Sequence, residues 1–322
     1  QGRIKSRVDS LYSQKVENSL TPDFPNTILV EIGNVCNHGC VFCAYTKMTR
    51  PNKKIDLDLL FRLLNEGFDE GARELGLYSG AEPFASRDLE KIIQESKSIG
   101  YEYVFVSTNG SLANEKRIKD CIDSGLDSIK VSINGGNREV YRQIHGLDHF
   151  DRVIRNLQFM DEYRKTKEKP IYIAVSFVII DEKDISNKAS MADLKKTISP
   201  WIDEFNFGNA NDQNGQMLGL EATPITIPCT LPFHRVHISA EGYLRACCSD
   251  YQNYLALVDL KDISLKEAWH SMLFQNLRKR HLDNNLDGTL CHNCAHGANT
   301  PIAPLDKKLA TVVPSEFFDW KE

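Results

Sequence analysis

The sequence contains no run of about 18 apolar residues, so no stretch of it is written as a membrane-crossing helix. It also lacks an excess of one charge: 39 lysines and arginines stand interspersed with 44 aspartates and glutamates, for a net charge of -5. Such a chain offers no electrostatic basis for gripping nucleic acid or an anionic membrane surface. Gln1 to Lys15 are polar and charged and lack the apolar centre of a secretory signal. The expectation is a cytoplasmic protein with no nucleic-acid and no membrane partner.

Cysteine breaks this plain pattern. A chain of 322 residues that is 41% hydrophobic can bury a core without disulfide staples, yet it carries nine cysteines. Eight fall into two groups, Cys36, Cys40 and Cys43 in the first and Cys229, Cys247, Cys248, Cys291 and Cys294 in the second. Clustering of this kind argues for ligation before crosslinking. The ninth, Cys121, lies in a helical pattern away from both groups and reads as a small buried hydrophobe.

Residues 1–26 lack periodicity and end in the proline-punctuated Thr21-Pro22-Asp23-Phe24-Pro25. Strand-like runs follow at 27–32, 74–78, 103–107, 128–133, 171–178 and 204–207. Helical runs lie between them near 56–71, 87–98, 112–124, 137–142 with 150–163, and 188–198. This alternation predicts an α/β fold of parallel strands, a partial (β/α)6 barrel over 27–208 with active-site groups at the C-terminal strand ends. A polar linker over 209–228 follows, then a small C-terminal cysteine-rich α+β unit over 229–300 with short strands, turns and one helix, and a tail over 301–322.

The first group, Cys36-Asn37-His38-Gly39-Cys40-Val41-Phe42-Cys43, comes directly after the first strand, at the barrel mouth. Structural zinc uses four ligands, usually as two pairs, whereas three thiolates with no fourth nearby suit an iron–sulfur cluster with one iron left open. His38 reads as a loop residue rather than a further ligand. With this spacing and an aromatic before the third cysteine, the segment resembles the signature of the radical S-adenosylmethionine superfamily. That resemblance, over about residues 27–207, implies a [4Fe-4S] cluster held by Cys36, Cys40 and Cys43 whose open iron is chelated by S-adenosylmethionine. Reductive cleavage then yields a 5'-deoxyadenosyl radical that abstracts hydrogen from carbon.

The resemblance continues along the strand ends. Phe42 takes the place of the family aromatic beside adenine. Tyr78-Ser79-Gly80-Ala81-Glu82-Pro83 is similar to the Gly-Gly-Glu-Pro motif, which implies Ser79, Gly80 and Glu82 near the methionyl amino group. Ser107, Asn109, Ser132 and Asn134 fall where the family contacts the methionyl carboxylate and ribose.

Cys229, Cys247, Cys248, Cys291 and Cys294 come from three separated segments, which converge only around a metal or cluster, structural zinc being the alternative. The arrangement resembles the Twitch domain, a shortened SPASM domain. By that likeness Cys229, Cys247, Cys291 and Cys294 hold a second, fully coordinated [4Fe-4S] cluster. Cys248 is the rival of Cys247, because adjacent strand residues point to opposite faces. His234, His237 and His292 read as packing or turn residues.

A cluster with every iron filled by protein suits electron transfer. Hydrogen abstraction followed by loss of one electron and one proton is a two-electron oxidation, as in the 2-deoxy-scyllo-inosamine dehydrogenases that this cysteine pattern resembles. A small polar substrate, a sugar, cyclitol or nucleotide, and a flavodoxin- or ferredoxin-type reductant are the expected partners. Epimerisation, decarboxylation and peptide modification are the competing reactions; the short lead-in disfavours the last. Asn206, Asn209, Asn211, Asp212 and Gln213 are candidates to bond the substrate, with Arg138, Arg142 and His145 behind them.

Overall fold

The computed structural model describes residue 16 and residues 18–181, 185–217, 220 and 225–310. Most of the lead-in, part of the linker and the end of the tail lie outside the described residues.

Six parallel strands stand in chain order along one sheet: β1 (Thr27–Val30), β2 (Glu74–Gly76), β3 (Tyr103–Thr108), β4 (Ser128–Ser132), β5 (Tyr172–Ile179) and β6 (Glu204–Asn209). Between them run α1 (Leu57–Asp69), α2 (Leu89–Ile99), α3 (Glu115–Asp123), α4 (Arg138–His145), α5 (Phe150–Arg164) and α6 (Met191–Ile198). Asp56, Asn114 and Asn137 start α1, α3 and α4 by accepting a backbone N–H of the first turn, which satisfies donors that the helix itself cannot. Strand alternation separates two chemistries. Val104, Val106, Ile129, Val131, Ile173 and Val175 are buried in one core with Ile118, Val153 and Leu157 of the helices. The opposite face carries Phe105, Ser107, Lys130, Ser132, Ser176 and Asn206. The fold therefore gathers polar side chains inside a barrel whose outside is oily.

Two features add to or differ from the sequence expectation. The C-terminal unit, which the sequence marks only as a separate small unit without a placement, extends the barrel sheet. β7 (Val236–Ile238) pairs parallel with β1, and β8 (Tyr243–Arg245) and β9 (Ala256–Asp259) follow antiparallel, so nine strands run in the order β6-β5-β4-β3-β2-β1-β7-β8-β9. The free edge of β1 would otherwise expose unpaired backbone groups. The unit also holds four helices rather than one: α7 (Leu231–His234), α8 (Leu265–Trp269), α9 (Met272–Leu282) and α10 (Leu290–His296). Three of them span at most seven residues, too few to show a helical period. They are held by packing: fully buried Trp269 meets Phe24 edge-on and Phe274 at a tilt, and the Arg278 guanidinium lies 4.1 Å from its ring centroid. Cys121 is buried within α3, as expected.

Candidate metal centres and active site

The first cysteine loop leaves β1 and is docked on the end of α4. Gly39 N–H donates to the His145 carbonyl at 3.3 Å and Val41 N–H to that of Ile144 at 3.0 Å. The chain turns away at Gly146, whose φ of 78° and closeness to the Gly39 carbonyl both favour glycine. The three thiols crowd together. Burial pushes Cys36 up to about 11, with Glu82 and Cys43 adding to it, and burial followed by Cys43 and Cys36 raises Cys40 further. Thiols that obstruct one another's ionisation form a donor set that a cationic centre relieves. The residues therefore fit a thiolate-held cluster.

Each sulfur also meets an outer partner. Cys36 faces the His38 N–H at 3.5 Å and the Asn109 amide at 3.9 Å, Cys40 faces His145 Nδ1 at 3.3 Å, and Cys43 faces the Tyr251 hydroxyl at 3.6 Å. His38 is buried in the loop beside His145 rather than pointing to solvent.

The residues expected near S-adenosylmethionine surround this loop, but most already have protein partners. The Glu82 carboxylate accepts from Phe84 N–H at 2.9 Å, Thr108 hydroxyl at 2.6 Å and Asn109 N–H at 2.7 Å. It joins the turn after β2 to the end of β3. Asn109 donates to Asn37 at 3.0 Å and accepts from Ser111. Asn134 accepts from Val178 N–H at 2.7 Å. The Ser79 hydroxyl lies between the Arg245 guanidinium, 2.5 Å, and the Cys248 carbonyl, 3.2 Å. Gly80 is glycine because a Cβ would come within 3.1 Å of the Tyr251 ring and 3.3 Å of a Glu31 oxygen. Ser132 shares a hydrogen bond with Ser176 across β4 and β5 at 3.1 Å, and Ser107 and Phe42 are half-buried.

The second group converges as its residue types predict. Cys229, Cys247, Cys248, Cys291 and Cys294 border one cavity of about 330 Å³, together with Asn214 and His281. Burial pushes Cys229 up to about 11, and burial with Cys229 as neighbour pushes Cys294 up to about 12. Five sulfurs around one void fit a polynuclear centre. His292 is buried in α10 and bonded to Asn299 rather than lying in a turn. The polar linker lies across both sites: Gln213 accepts from Ala44 N–H at 2.8 Å, and Asn214 Oδ1 stands 2.6 Å from Cys294 Sγ.

Of the groups between the two sites, sequence reasoning singles out Cys248, as the rival of Cys247, but not Tyr251 or Lys130. Tyr251 and Cys248 come from the segment after β8; Tyr251 meets Cys43 and Gly80, and Cys248 acts electrostatically on buried Tyr78 and on Lys130. Lys130 Nζ stands 5.7 Å from the Tyr78 ring centroid and makes no hydrogen bond to the described residues. Burial lowers its pKa, Cys248 and Glu204 opposing. A lysine in the middle of a strand whose alternate face points inward was the available signal.

Residues 30–180 match the family described as Radical SAM superfamily, and residues 229–295 the SPASM family, described as Iron-sulfur cluster-binding domain. Similar curated proteins include an uncharacterized protein of Methanocaldococcus jannaschii, 31% identical over 145 residues, which are 45% of this chain and 46% of that protein. A probable GTP 3',8-cyclase of Saccharolobus islandicus is 35% identical over 132 residues, 40% of this chain and 41% of its own. The chain thus spans less than half the length of these relatives. Solved structures of similar fold include BtrN in complex with AdoMet and 2-DOIA, with TM-score 0.58, 16% identity and coverage of 88% of this chain and 96% of that one. Streptococcus suis SuiB bound to precursor peptide SuiA gives TM-score 0.63 and 12% identity, covering 90% and 76%. No described helix is long and apolar enough to cross a membrane.

Proposed function

We propose, from the premise that this chain is a radical SAM enzyme with a C-terminal iron–sulfur cluster-binding SPASM domain, that it oxidises a small polar substrate by two electrons. When bound, S-adenosylmethionine with the cluster at Cys36, Cys40 and Cys43, and a second [4Fe-4S] centre at Cys229, Cys247, Cys291 and Cys294, supply hydrogen abstraction and a one-electron sink. The chain's own residues do the rest. Ser107, Ser132, Ser176 and Asn206 offer hydrogen bonds to hydroxyl groups on the inner barrel face. Lys130 accepts the proton that an alcohol must lose on becoming a ketone, a role its lowered pKa favours.

The observation that carries this reading is the position of the segment after β8: Cys248 lines the second cysteine cavity and acts on Lys130 and Tyr78, while Tyr251 meets Cys43 of the first group. An electron acceptor in that cavity would border the substrate. The BtrN complex with 2-DOIA supports a polar small-molecule substrate, and the probable GTP 3',8-cyclases favour a second reading, a nucleotide substrate whose anionic group meets Lys130. Anaerobic incubation with S-adenosylmethionine, a flavodoxin- or ferredoxin-type reductant and a panel of cyclitols, sugars and nucleotides including GTP tests both. An oxidised product formed with 5'-deoxyadenosine supports the first; a product isomeric with the substrate would refute oxidation.

A further inference from the structure

We infer that His145 and Tyr251 donate hydrogen bonds to the sulfurs of Cys40 and Cys43 and thereby set the reduction potential of the cluster those sulfurs hold. The inference rests on the cluster reading given above and adds two positioning residues to it.

The proton on His145 is fixed by one backbone group. Asn134 N–H donates to His145 Nε2 at 3.1 Å, which makes Nε2 the acceptor and leaves the ring proton on Nδ1. Nδ1 faces two atoms, Cys40 Sγ and His38 Nδ1, each at 3.3 Å. That distance is long for a nitrogen acceptor and short for the larger sulfur, so the bond goes chiefly to Cys40. His38 then carries its proton on Nε2 and donates to His149 Nδ1 at 3.3 Å. The same assignment answers a rival reading. The donor atoms of His38, Cys40 and His145 lie within 4.8 Å of one another, as a single metal ion would require. A ring nitrogen that bears a proton does not bind a metal.

At Cys43 the direction follows from chemistry. A thiolate ligand has no proton, so the Tyr251 hydroxyl, 3.6 Å away, is the donor. Its position is built. Asp250 accepts from Tyr254 N–H at 2.9 Å and Leu255 N–H at 2.7 Å, which curls the segment, and Arg50 Nε binds the Tyr251 carbonyl at 2.8 Å. The ring is seated on Gly80. The C-terminal domain thus reaches a sulfur of the first cluster site through the Tyr251 phenol.

A donor aimed at a ligand sulfur stabilises the more negative, reduced cluster more than the oxidised one. Removing it lowers the potential. The experiment is an EPR-monitored redox titration of the anaerobically reconstituted full chain, unmodified and as Tyr251→Phe, His145→Leu and His145→Gln, with iron determined in each. Tyr251→Phe and His145→Leu are each expected to cut the reduced-to-oxidised ratio of the first cluster at a fixed solution potential by roughly tenfold, about 59 mV for one electron. His145→Gln keeps an N–H donor and is expected to recover part of the loss. Potentials equal to the unmodified protein in Tyr251→Phe and His145→Leu, at equal iron content, would overturn the inference and leave the cluster reading standing. Should His145→Leu lose its iron, Tyr251→Phe, which removes a single oxygen, decides the matter. An unmodified protein with no cluster at the first site would overturn both.

Discussion

Glu31 and Arg50 form a two-armed ion pair, Nη2 to Oε1 at 2.8 Å and Nη1 to Oε2 at 3.0 Å, with neither side chain exposed. The pair closes the base of the first cysteine loop, which lies between them in sequence. Around it, Ala240 N–H donates to Glu31 at 3.0 Å, Arg245 approaches at 3.5 Å, and Arg50 extends to Glu241 at 2.9 Å. One buried network therefore joins the loop, the barrel and the β7–β8 turn.

Burial opposes the ionisation of Glu31, but Arg245 and Arg50 override it and hold its carboxyl down at about 2 against an ordinary 4.5. A folded-state pKa below the unfolded one gives stability that is fully present above the unfolded value and is lost as pH falls toward the folded value. The contribution, on the order of 3 kcal/mol, should disappear progressively below about pH 4.5. Glu31→Gln leaves Arg50 partly uncompensated and is expected to cost about 3–5 kcal/mol at neutral pH while flattening that acid limb. Denaturant unfolding of both proteins as a function of pH checks this.

Reconstituted protein is expected to hold about eight irons, as two four-iron clusters, because the two cysteine groups supply three and four ligands. Replacing Cys36, Cys40 and Cys43 together by alanine should remove half. Cys247 has Cys294 and Cys229 as neighbours, whereas Cys248 is turned to His237 and Arg235 and acts on Tyr78 and Lys130. On that placement Cys247→Ala should lose the second cluster and Cys248→Ala keep it. Iron analysis with Mössbauer spectroscopy reads all three variants, and zinc in the second cavity would contradict the stoichiometry.

The barrel was legible because strands with period two and helices with a broad apolar stripe leave their pattern in the local sequence. The cysteine groups were legible because ligand spacing is local too. What stayed hidden depends on residues far apart in the chain. That β7 pairs with β1 follows from an unpaired sheet edge, not from any pattern within Val236–Ile238. Gly80 reads in sequence as room for a ligand, yet the structure fills that space with Tyr251, and Ser79 turns to Arg245 and Cys248. Neither His145 nor Tyr251 carries a mark in its own neighbourhood of the chain that it will meet a cysteine sulfur.

Glu82 has two roles that one substitution separates. Oε1 accepts from Phe84 N–H and the Thr108 hydroxyl and Oε2 from Asn109 N–H, so in Glu82→Gln at least one of these donors would face an amide nitrogen. A donor set against donors in a buried site should cost about 1–3 kcal/mol of stability. Because Asn109 leads on to Asn37 in the cysteine loop, affinity for S-adenosylmethionine should fall with the melting temperature. Thr108→Val, which removes one donor and no charge, should reproduce part of both effects. Weakened cofactor binding in Glu82→Gln at an unchanged melting temperature would instead indicate direct contact with the methionyl ammonium.

Lys130 decides between the two substrate chemistries. As proton acceptor in an oxidation it should be dispensable for iron content and for cofactor binding, yet Lys130→Met should lower product formation by roughly 10²-fold, the scale of general base catalysis. Cleavage of S-adenosylmethionine should continue in that variant, uncoupled from product. Lys130→Arg separates the roles: guanidinium keeps the positive charge but cannot accept a proton near neutral pH, so it stays slow if Lys130 is the base and regains activity if Lys130 only anchors an anion. Running the unmodified enzyme in deuterium oxide completes the argument. Oxidation gives a product short of two hydrogens with no deuterium on carbon. A deuterium on carbon in a product isomeric with the substrate would mean that hydrogen is returned from an exchangeable group, for which the Cys248 thiol, close enough to act on Lys130, is the candidate donor.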